Sequence, residues 1–210
     1  LNMPTDFPKD ASYDFEGANI SFALPQELVL KIRQLSKTAQ CTPYVLFLAM
    51  YNVLLQKYTG QQDVIVGTPC VGRTQAKWDE VVGMFVNTLA IRNYPDDKKY
   101  FKEFLIEVRS NFLDDIQNQA YQFDDLIDKL QVKRDGNRNP LFDTMFSCDF
   151  EERSGGSSSF SGDHQRGTSK FDLSLSVIDY GTGIEINLEY ATSLYKESTI
   201  NNISQHFINL

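Results

Sequence analysis

Two hydrophobic periods alternate along the chain, one typical of helices and the other of strands. Leu28, Ile32 and Leu35 follow Pro25 at helical spacing, which predicts an amphipathic helix. A second helix is predicted to begin after Thr42, and its residues leave almost no polar face, so we expect it to be buried on most sides. The same spacing predicts further helices at residues 101–116, at residues 123–130 and around Ile200, Ile203 and Phe207.

Short apolar or alternating runs predict the strands. Residues 64–66 and 85–91 are apolar runs of the kind that is covered on both faces of a sheet. Polar and apolar residues alternate at 18–24, 142–150, 171–177 and 184–190, and the turn at 181–183 joins the last two runs into an antiparallel hairpin. Helices interleaved with such strands predict an α/β (α+β) fold, a mixed sheet flanked by helices.

Composition narrows the classes of function. The net charge of -8 disfavours nucleic acid as a partner, because phosphate binding requires a basic surface. Cys41, Cys70 and Cys148 are widely spaced, which favours a reducing cytoplasm over a disulfide framework or a thiolate metal site. The longest apolar stretch, residues 45–55, is too short for a membrane span. We therefore expect a cytoplasmic protein without membrane or nucleic-acid partners.

Residues 151–169 are rich in serine, glycine and charge, so they are expected to form a mobile loop that is easily cut by proteases. The chain opens on a loop-like stretch at residues 1–8 and stops inside a helical pattern at Leu210. Both ends are therefore expected to be cuts in a longer protein.

The usual catalytic and metal-binding patterns are weak here. The two histidines, His164 and His206, lie far apart, and neither has neighbours at ligand spacing, so a structural role is favoured for each. The pair Gly67 and Gly72 lacks the lysine and the following helix of a phosphate-binding loop. We predict no catalytic residue, no metal site and no directly bound cofactor within this chain.

Three local patterns in a fixed order carry more information. Residues 82–92 read VGMFVNTLAIR, residues 118–123 read NQAYQF, and residues 134–141 read RDGNRNPL. These resemble successive signatures of nonribosomal peptide synthetase condensation domains, the second with substitutions at Ala120 and Gln122. The segments PTDFP at 4–8, VGTP at 66–69 with Gly72 and Arg73, and KFDL at 170–173 extend the resemblance over essentially the whole chain.

The resemblance implies a two-lobed fold similar to chloramphenicol acetyltransferase, with residues 1–210 as its C-terminal lobe. In that family, donor and acceptor carrier proteins deliver thioesters on phosphopantetheine arms, and the acceptor amine attacks the donor thioester to form an amide. The histidine motif HHxxxDG of the first lobe does not occur in this sequence. The implied partners are the N-terminal lobe, two peptidyl carrier proteins and an adjacent adenylation domain, and this chain alone is expected to be inactive.

The resemblance also assigns positions near the substrate tunnel. It places Gly83, Phe85, Asn87 and Thr88 in a loop that forms the tunnel floor. It places Arg134, Asp135, Arg138 and Asn139 in a supporting turn near the same interface. Gly83 is expected to permit close backbone approach, whereas the side chains of Phe85 and Val86 are expected to pack. The alternative for Arg134 and Arg138 is that each only pairs with an acid, Asp135 or Asp143, to lock the turn.

Residues 151–190 resemble the latch that crosses between the lobes, and this region is expected to be loose without its partner lobe. Within it, residues 170–191 are predicted to form a latch-like hairpin. Other members of the superfamily remain alternatives: an epimerisation domain, a heterocyclising domain or a stand-alone acyltransferase. From a different class, the chain could be a noncatalytic module that recruits carrier proteins or a tailoring enzyme.

Overall fold

A computed structural model describes residues 1–9, 14–132, 138–151 and 167–210. Within these residues six strands form one mixed sheet with helices packed against it. The strands are β1 (Gly17–Ala23), β2 (Val64–Cys70), β3 (Asn87–Asn93), β4 (Thr144–Phe150), β5 (Leu173–Asp179) and β6 (Ile184–Ala191). The helices are α1 (Gln26–Thr38), α2 (Pro43–Thr59), α3 (Phe101–Gln117), α4 (Phe123–Leu130) and α5 (Glu197–Asn209).

The order of strands in the sheet is β1-β6-β5-β4-β2-β3. The pairs β1–β6, β5–β6 and β2–β3 are antiparallel, whereas β4 is parallel to both β2 and β5. Helices α1, α2, α3 and α5 contribute to the same hydrophobic core as the inward-facing residues of the sheet. The predicted mixed sheet with flanking helices is therefore confirmed.

Helix α2 is the centre of that core, as its sequence predicts. The hydroxyl oxygen of Thr42 accepts a hydrogen bond from the backbone N–H of Val45 (3.3 Å) and caps the helix, and Gly60 ends it with a φ of 67°. The Tyr44 hydroxyl pairs with the hydroxyl of Thr68 on β2, and the Tyr51 hydroxyl pairs with that of Thr144 on β4. These buried pairs fix the position of α2 across two neighbouring strands.

Two strand boundaries differ from the predictions, each for a packing reason. The strand expected at 85–91 is β3, which begins at Asn87, because the ring of Phe85 stacks on Trp78 in the preceding loop instead of joining the sheet. The strand expected at 142–150 begins at Thr144, because Phe142 and Asp143 are buried in contacts outside the strand.

The hairpin predicted at 170–191 forms part of the sheet. Its strands β5 and β6 lie in the interior of the sheet, each paired on both sides, and Leu173, Leu175 and Leu188 are fully buried. Buried apolar side chains and a complete ladder hold these strands firmly. Most of the predicted mobile loop, residues 152–166, lies outside the described residues.

A second, smaller cluster lies on the face of the sheet opposite the main core. We call it the Phe142 cluster, and it consists of Gly67, Phe123, Phe142 and Phe171. The ring of Phe142 lies 5.3 Å from that of Phe123 and 5.9 Å from that of Phe171, measured between centroids. A Cβ atom added to Gly67 would overlap both the Phe142 ring and the sulfur of Met145. The absence of a side chain at Gly67 is thus what admits the ring.

Gly67→Ala is expected to destabilise the fold by about 2 kcal/mol, because Phe142 must move to accept the methyl group. Gly183→Ala is the matched control, since a Cβ at Gly183 meets no atom of the described residues within 4 Å. Chemical denaturation of both variants measures the effect. Equal stability of the two variants would mean that Phe142 does not depend on the space at Gly67.

Candidate functional site

The loop between β2 and β3 is built around the ring of Phe85. The indole of Trp78 stacks on this ring at 5.9 Å between centroids, and the guanidinium carbon of Arg73 lies 4.3 Å from the ring centroid. Arg73 also donates hydrogen bonds to the carbonyl oxygens of Trp78 and Val81, the latter at 3.0 Å. The prediction that Phe85 packs is confirmed, and Trp78 anchors the loop through the same stacking contact.

A close backbone approach within this loop occurs at Gly72. Gly72 has a φ of 67°, and a Cβ atom there would overlap the carbonyl oxygen of Phe85. A Cβ atom at Gly83 would meet only the Phe85 ring, at an ordinary 3.6 Å. Gly83 lies at an exposed position of the loop, and the close backbone approach expected there stays a prediction.

The same loop carries an unusual amount of exposed apolar surface. Val82 is 101% exposed and Met84 92%, and Val71, Val81 and Val86 are also exposed. The expectation that Val86 packs is wrong for this reason. Apolar side chains gathered at one loop in this way mark a surface for interaction. We call these five residues the loop patch.

Asn87 connects the first signature to the second through its side chain. It is 6% exposed, and its amide nitrogen donates to the carbonyl oxygens of Gln119 (2.9 Å) and Tyr121 (2.8 Å). Its amide oxygen accepts from the backbone N–H groups of Thr88 (2.9 Å) and Phe123 (3.4 Å). With its polar atoms engaged by backbone groups, Asn87 holds the α3–α4 connection against the start of β3.

A buried carboxylate, Asp143, lies two residues after the third signature. Arg138 donates two hydrogen bonds to Asp143, one of them from Nε at 3.2 Å, and Lys9 Nζ lies 3.4 Å from the same carboxylate. Lys9 also pairs with Asp172 at 2.7 Å, and Asn139 donates to the carbonyl oxygen of Lys170 at 3.1 Å. Arg138 thus pairs with Asp143, as the turn-locking interpretation predicts, and its role beside the tunnel stays a prediction. The other two predicted residues here, Arg134 and Asp135, lie outside the described residues.

Burial and the neighbouring cations act on these two carboxyl groups in opposite directions. Burial alone would raise the pKa of Asp143, but the Arg138 hydrogen bonds and the charge of Lys9 hold this pKa below its ordinary value. The pKa of Asp172 is raised, because burial outweighs its hydrogen bond to Lys9. Asp143 is therefore the member of the pair that is stabilised in its charged form.

These contacts bring the separate motif segments together. Asn87 reaches residues 119–123, Phe123 contacts Phe142, and Asp143 joins Arg138 to the segment around Lys9. The segment at 170–173 enters through the Phe171 ring and the Asp172 carboxylate. The sequence patterns do not predict that the motif segments pack around Phe142. The glycine inside the apolar run at 64–67 was the available signal, since glycine in a strand indicates close packing.

Both histidines of the sequence lie outside the motif segments. His206 lies on α5, where its Nδ1 atom and the Tyr58 hydroxyl are 2.7 Å apart, which fits the structural role expected for it. His164 lies outside the described residues. Among the residues described, no group of three or more His, Cys, Asp or Glu side chains could hold a metal ion. In the same part of the chain, no single helix has the length and apolarity needed to cross a membrane.

Comparison with known proteins decides the family. The condensation-domain family matches residues 1–210, the whole chain. The chain belongs to the condensation-domain family. Bacitracin synthase 3 of Bacillus licheniformis is 45% identical over 214 residues, which cover 99% of this chain and 3% of that protein. The chain is thus a small part of the length of such a synthase.

Solved structures share the fold of this condensation-domain chain. The four-domain nonribosomal peptide synthetase holo-AB3403, bound to AMP and glycine, matches with a TM-score of 0.88 at 23% identity, over 98% of this chain and 17% of that one. The X-domain in its complex with OxyB from teicoplanin biosynthesis matches with a TM-score of 0.82 at 15% identity, over 99% of this chain and 48% of that one. The predicted chloramphenicol acetyltransferase-like fold class is confirmed.

Asn87→Asp is expected to destabilise the condensation-domain chain more than Asn87→Ala. The carboxylate would face the carbonyl oxygens of Gln119 and Tyr121, and we expect a loss of about 3 kcal/mol or more. Asn118→Asp is the control, because Asn118 is exposed and its side-chain amide donates to the Asp114 carbonyl oxygen, one turn back on α3. Denaturation and hydrogen exchange at residues 119–123 measure the effect. Unchanged exchange there in Asn87→Asp would contradict the role of this side chain.

Arg138→Ala is expected to lower the free energy of unfolding by about 1 to 2 kcal/mol at neutral pH, because Asp143 stays buried without its main partner. The folded-state pKa of Asp143 is depressed, so its contribution is present above the unfolded value of about 3.9 and is lost as the pH falls through the folded value. The difference between wild type and variant should therefore shrink in acid.

Arg92→Ala provides the control for that measurement. Arg92 also binds a carboxylate with two nitrogens, at 2.8 and 2.7 Å from Asp63, but both side chains are about half exposed. Removing such an exposed pair costs less than about 1 kcal/mol. If denaturation at several pH values gave the same loss for both variants, the buried position of Asp143 would not be what makes Arg138 important.

Proposed function

We propose that this chain is the C-terminal half of a condensation domain that forms an amide bond in nonribosomal peptide synthesis. The donor is an aminoacyl or peptidyl thioester, and the acceptor is an aminoacyl thioester. Both are held by phosphopantetheine arms on peptidyl carrier proteins, next to an adenylation domain, in the cytoplasm. The observation that carries the proposal is the family match over all 210 residues, with the signature segments meeting around Phe142.

Two further observations support the proposal that this is one half of the domain. The alignment with the X-domain chain covers 99% of this chain but only 48% of the X-domain chain. The loop patch leaves Val82 and Met84 exposed on a loop that Arg73 and Phe85 hold in shape. A rigid loop with apolar side chains at its tip is suited to pack against a second lobe. In this arrangement Gly83, Phe85 and Thr88 belong to the floor of the tunnel, and Asn87, Arg138 and Asn139 support it.

The catalytic residues are proposed to lie in the N-terminal half of the condensation domain. The sequence contains two histidines, and neither is part of an HHxxxDG motif. We propose that this chain by itself does not condense substrates, and that it shapes the tunnel around a histidine supplied by the N-terminal lobe. Arg134 and Asp135 are proposed to support the same wall as Arg138.

The X-domain supports a second candidate. The X-domain that shares the fold of this chain was solved in complex with OxyB. A noncatalytic recruitment module for carrier proteins or a tailoring enzyme is therefore the alternative, together with a heterocyclising or epimerising relative. Amide formation separates these candidates directly.

The test joins the chain to a condensation-domain N-terminal half that carries HHxxxDG and measures amide formation between two loaded carrier proteins. The chain alone should give only the uncatalysed background, whereas the joined domain should turn over. Joined domains that bind both carriers without forming an amide would favour the recruitment module. Amide formation by the chain alone would overturn the proposal that the catalytic residues lie in the N-terminal half.

The loop patch gives a second measurement on the same pair. Changing Val82 and Met84 to Asp should weaken association with the N-terminal half by about tenfold or more, since two apolar contacts are replaced by desolvated charges. Leu30→Asp is the control, because Leu30 is a 60% exposed apolar residue on α1. Calorimetric titration should show little change for Leu30→Asp. Equal binding by all three proteins would remove the loop patch from the interface.

A further inference from the structure

A pocket of about 300 Å³ lies on the sheet face that carries the Phe142 cluster. We call it the sheet-face pocket. It spans β4, β5 and β6, and its walls include Met145, Ser174, Ser176, Ile178, Asn187 and Glu189. The register of the sheet places these side chains in two adjacent rows, because Ser174 pairs with Glu189 and Ser176 pairs with Asn187. The pocket is thus built on interior strands of the sheet.

The polar groups at the base of this pocket have fixed orientations. Ser147 Oγ donates to Ser176 Oγ at 3.0 Å, and Asn187 Nδ2 donates to Ser21 Oγ at 2.7 Å. Because its nitrogen is engaged with Ser21, the Asn187 amide turns its oxygen towards the pocket. Asn187 is 8% exposed, and in the described part of the chain no group donates a hydrogen bond to that oxygen. An acceptor at the wall of the pocket is available to a ligand that supplies a donor.

Glu189 adds a negative charge two residues further along the same face of β6. It is half-buried, and none of the ion pairs formed by the described residues includes it. Lys170 also borders the pocket, but its side chain is exposed, so water and salt screen its charge. The local field at the Asn187 end therefore comes mainly from a carboxylate and an amide oxygen.

We infer that the sheet-face pocket binds the ammonium group of a basic side chain carried by a thioester-bound substrate. An ammonium has three donors and no acceptor, which matches the Glu189 carboxylate and the Asn187 oxygen. Met145 and Ile178 supply apolar surface for the methylene stem of such a side chain. The pocket would then select among substrates by the charge of one side chain. The inference rests on the proposed function for the thioester-bound source of the ligand.

The test uses two stable amide analogues, Nα-acetyl-lysyl-aminopantetheine and Nα-acetyl-norleucyl-aminopantetheine, in which nitrogen replaces the thioester sulfur. Their side chains have four carbons each and differ in the ammonium. Each is titrated into this chain and binding is followed by nuclear magnetic resonance. The lysyl analogue should bind about tenfold more tightly, which corresponds to about 1.4 kcal/mol. In Glu189→Gln the two analogues should bind with nearly the same affinity.

Two further variants complete the test. Glu185→Gln is the control, since Glu185 lies on the same strand and face but outside the pocket, and it should retain the preference for lysyl. Ser174→Lys places an ammonium opposite Glu189 and should abolish lysyl binding while the fold is kept. Equal binding of both analogues to the wild-type chain, or a preference that survives in both Glu189→Gln and Ser174→Lys, would overturn the inference.

The proposed function is tested separately, by amide formation between neutral substrates in the joined wild-type domain. Failure of that reaction would leave the binding result on this chain intact. Successful condensation with no lysyl preference in the titration would overturn the pocket assignment alone.

Discussion

The packing of the Phe142 ring into the space above Gly67 is the contact on which the site depends. Phe142 immediately precedes β4, and Gly67 lies in the centre of β2, so the contact fixes how the third signature approaches the sheet. Phe123 and Phe171 pack on the same ring and bring the start of α4 and the start of the hairpin to this point. Side chains in a close-packed interior have few alternative positions. Because Gly67 has no side chain, the Phe142 ring can pack there, and this contact fixes the positions of β2, the segment before β4, the start of α4 and the start of the hairpin.

Hydrogen bonds and charges then orient what the aromatic contacts bring together. Asn87 satisfies backbone groups of the α3–α4 connection, and Asp143 gathers Arg138 and Lys9 beside Asp172. Buried polar groups of this kind are costly when a partner is lost, so they specify one arrangement of the loops. In the described part of the chain these residues act as structural supports, through hydrogen bonds to backbone groups and through ion pairs.

The two faces of the sheet differ in composition and in what covers them. On one side, α1, α2, α3 and α5 bury the main core. On the other side, β4, β5 and β6 present serines, Asn187 and Glu189 around the sheet-face pocket. Residues alternate along β5 between these two faces. Leu173, Leu175 and Val177 point into the core, and the two serines between them border the pocket. A substrate that lies along this face would meet polar groups held by a rigid framework.

The sequence alone determined the elements and the family. The helical period of α2, the alternation of β5 and β6 and the ordered signatures were enough, because they depend on local spacing and on residue types that can be read directly. Only the tertiary structure decided the strand order, the interior position of the hairpin and the convergence on Phe142. It also revealed the close approach of the Phe85 carbonyl oxygen to Gly72. These features are contacts between residues far apart in the chain, and periodicity carries no information about which distant segments pack together.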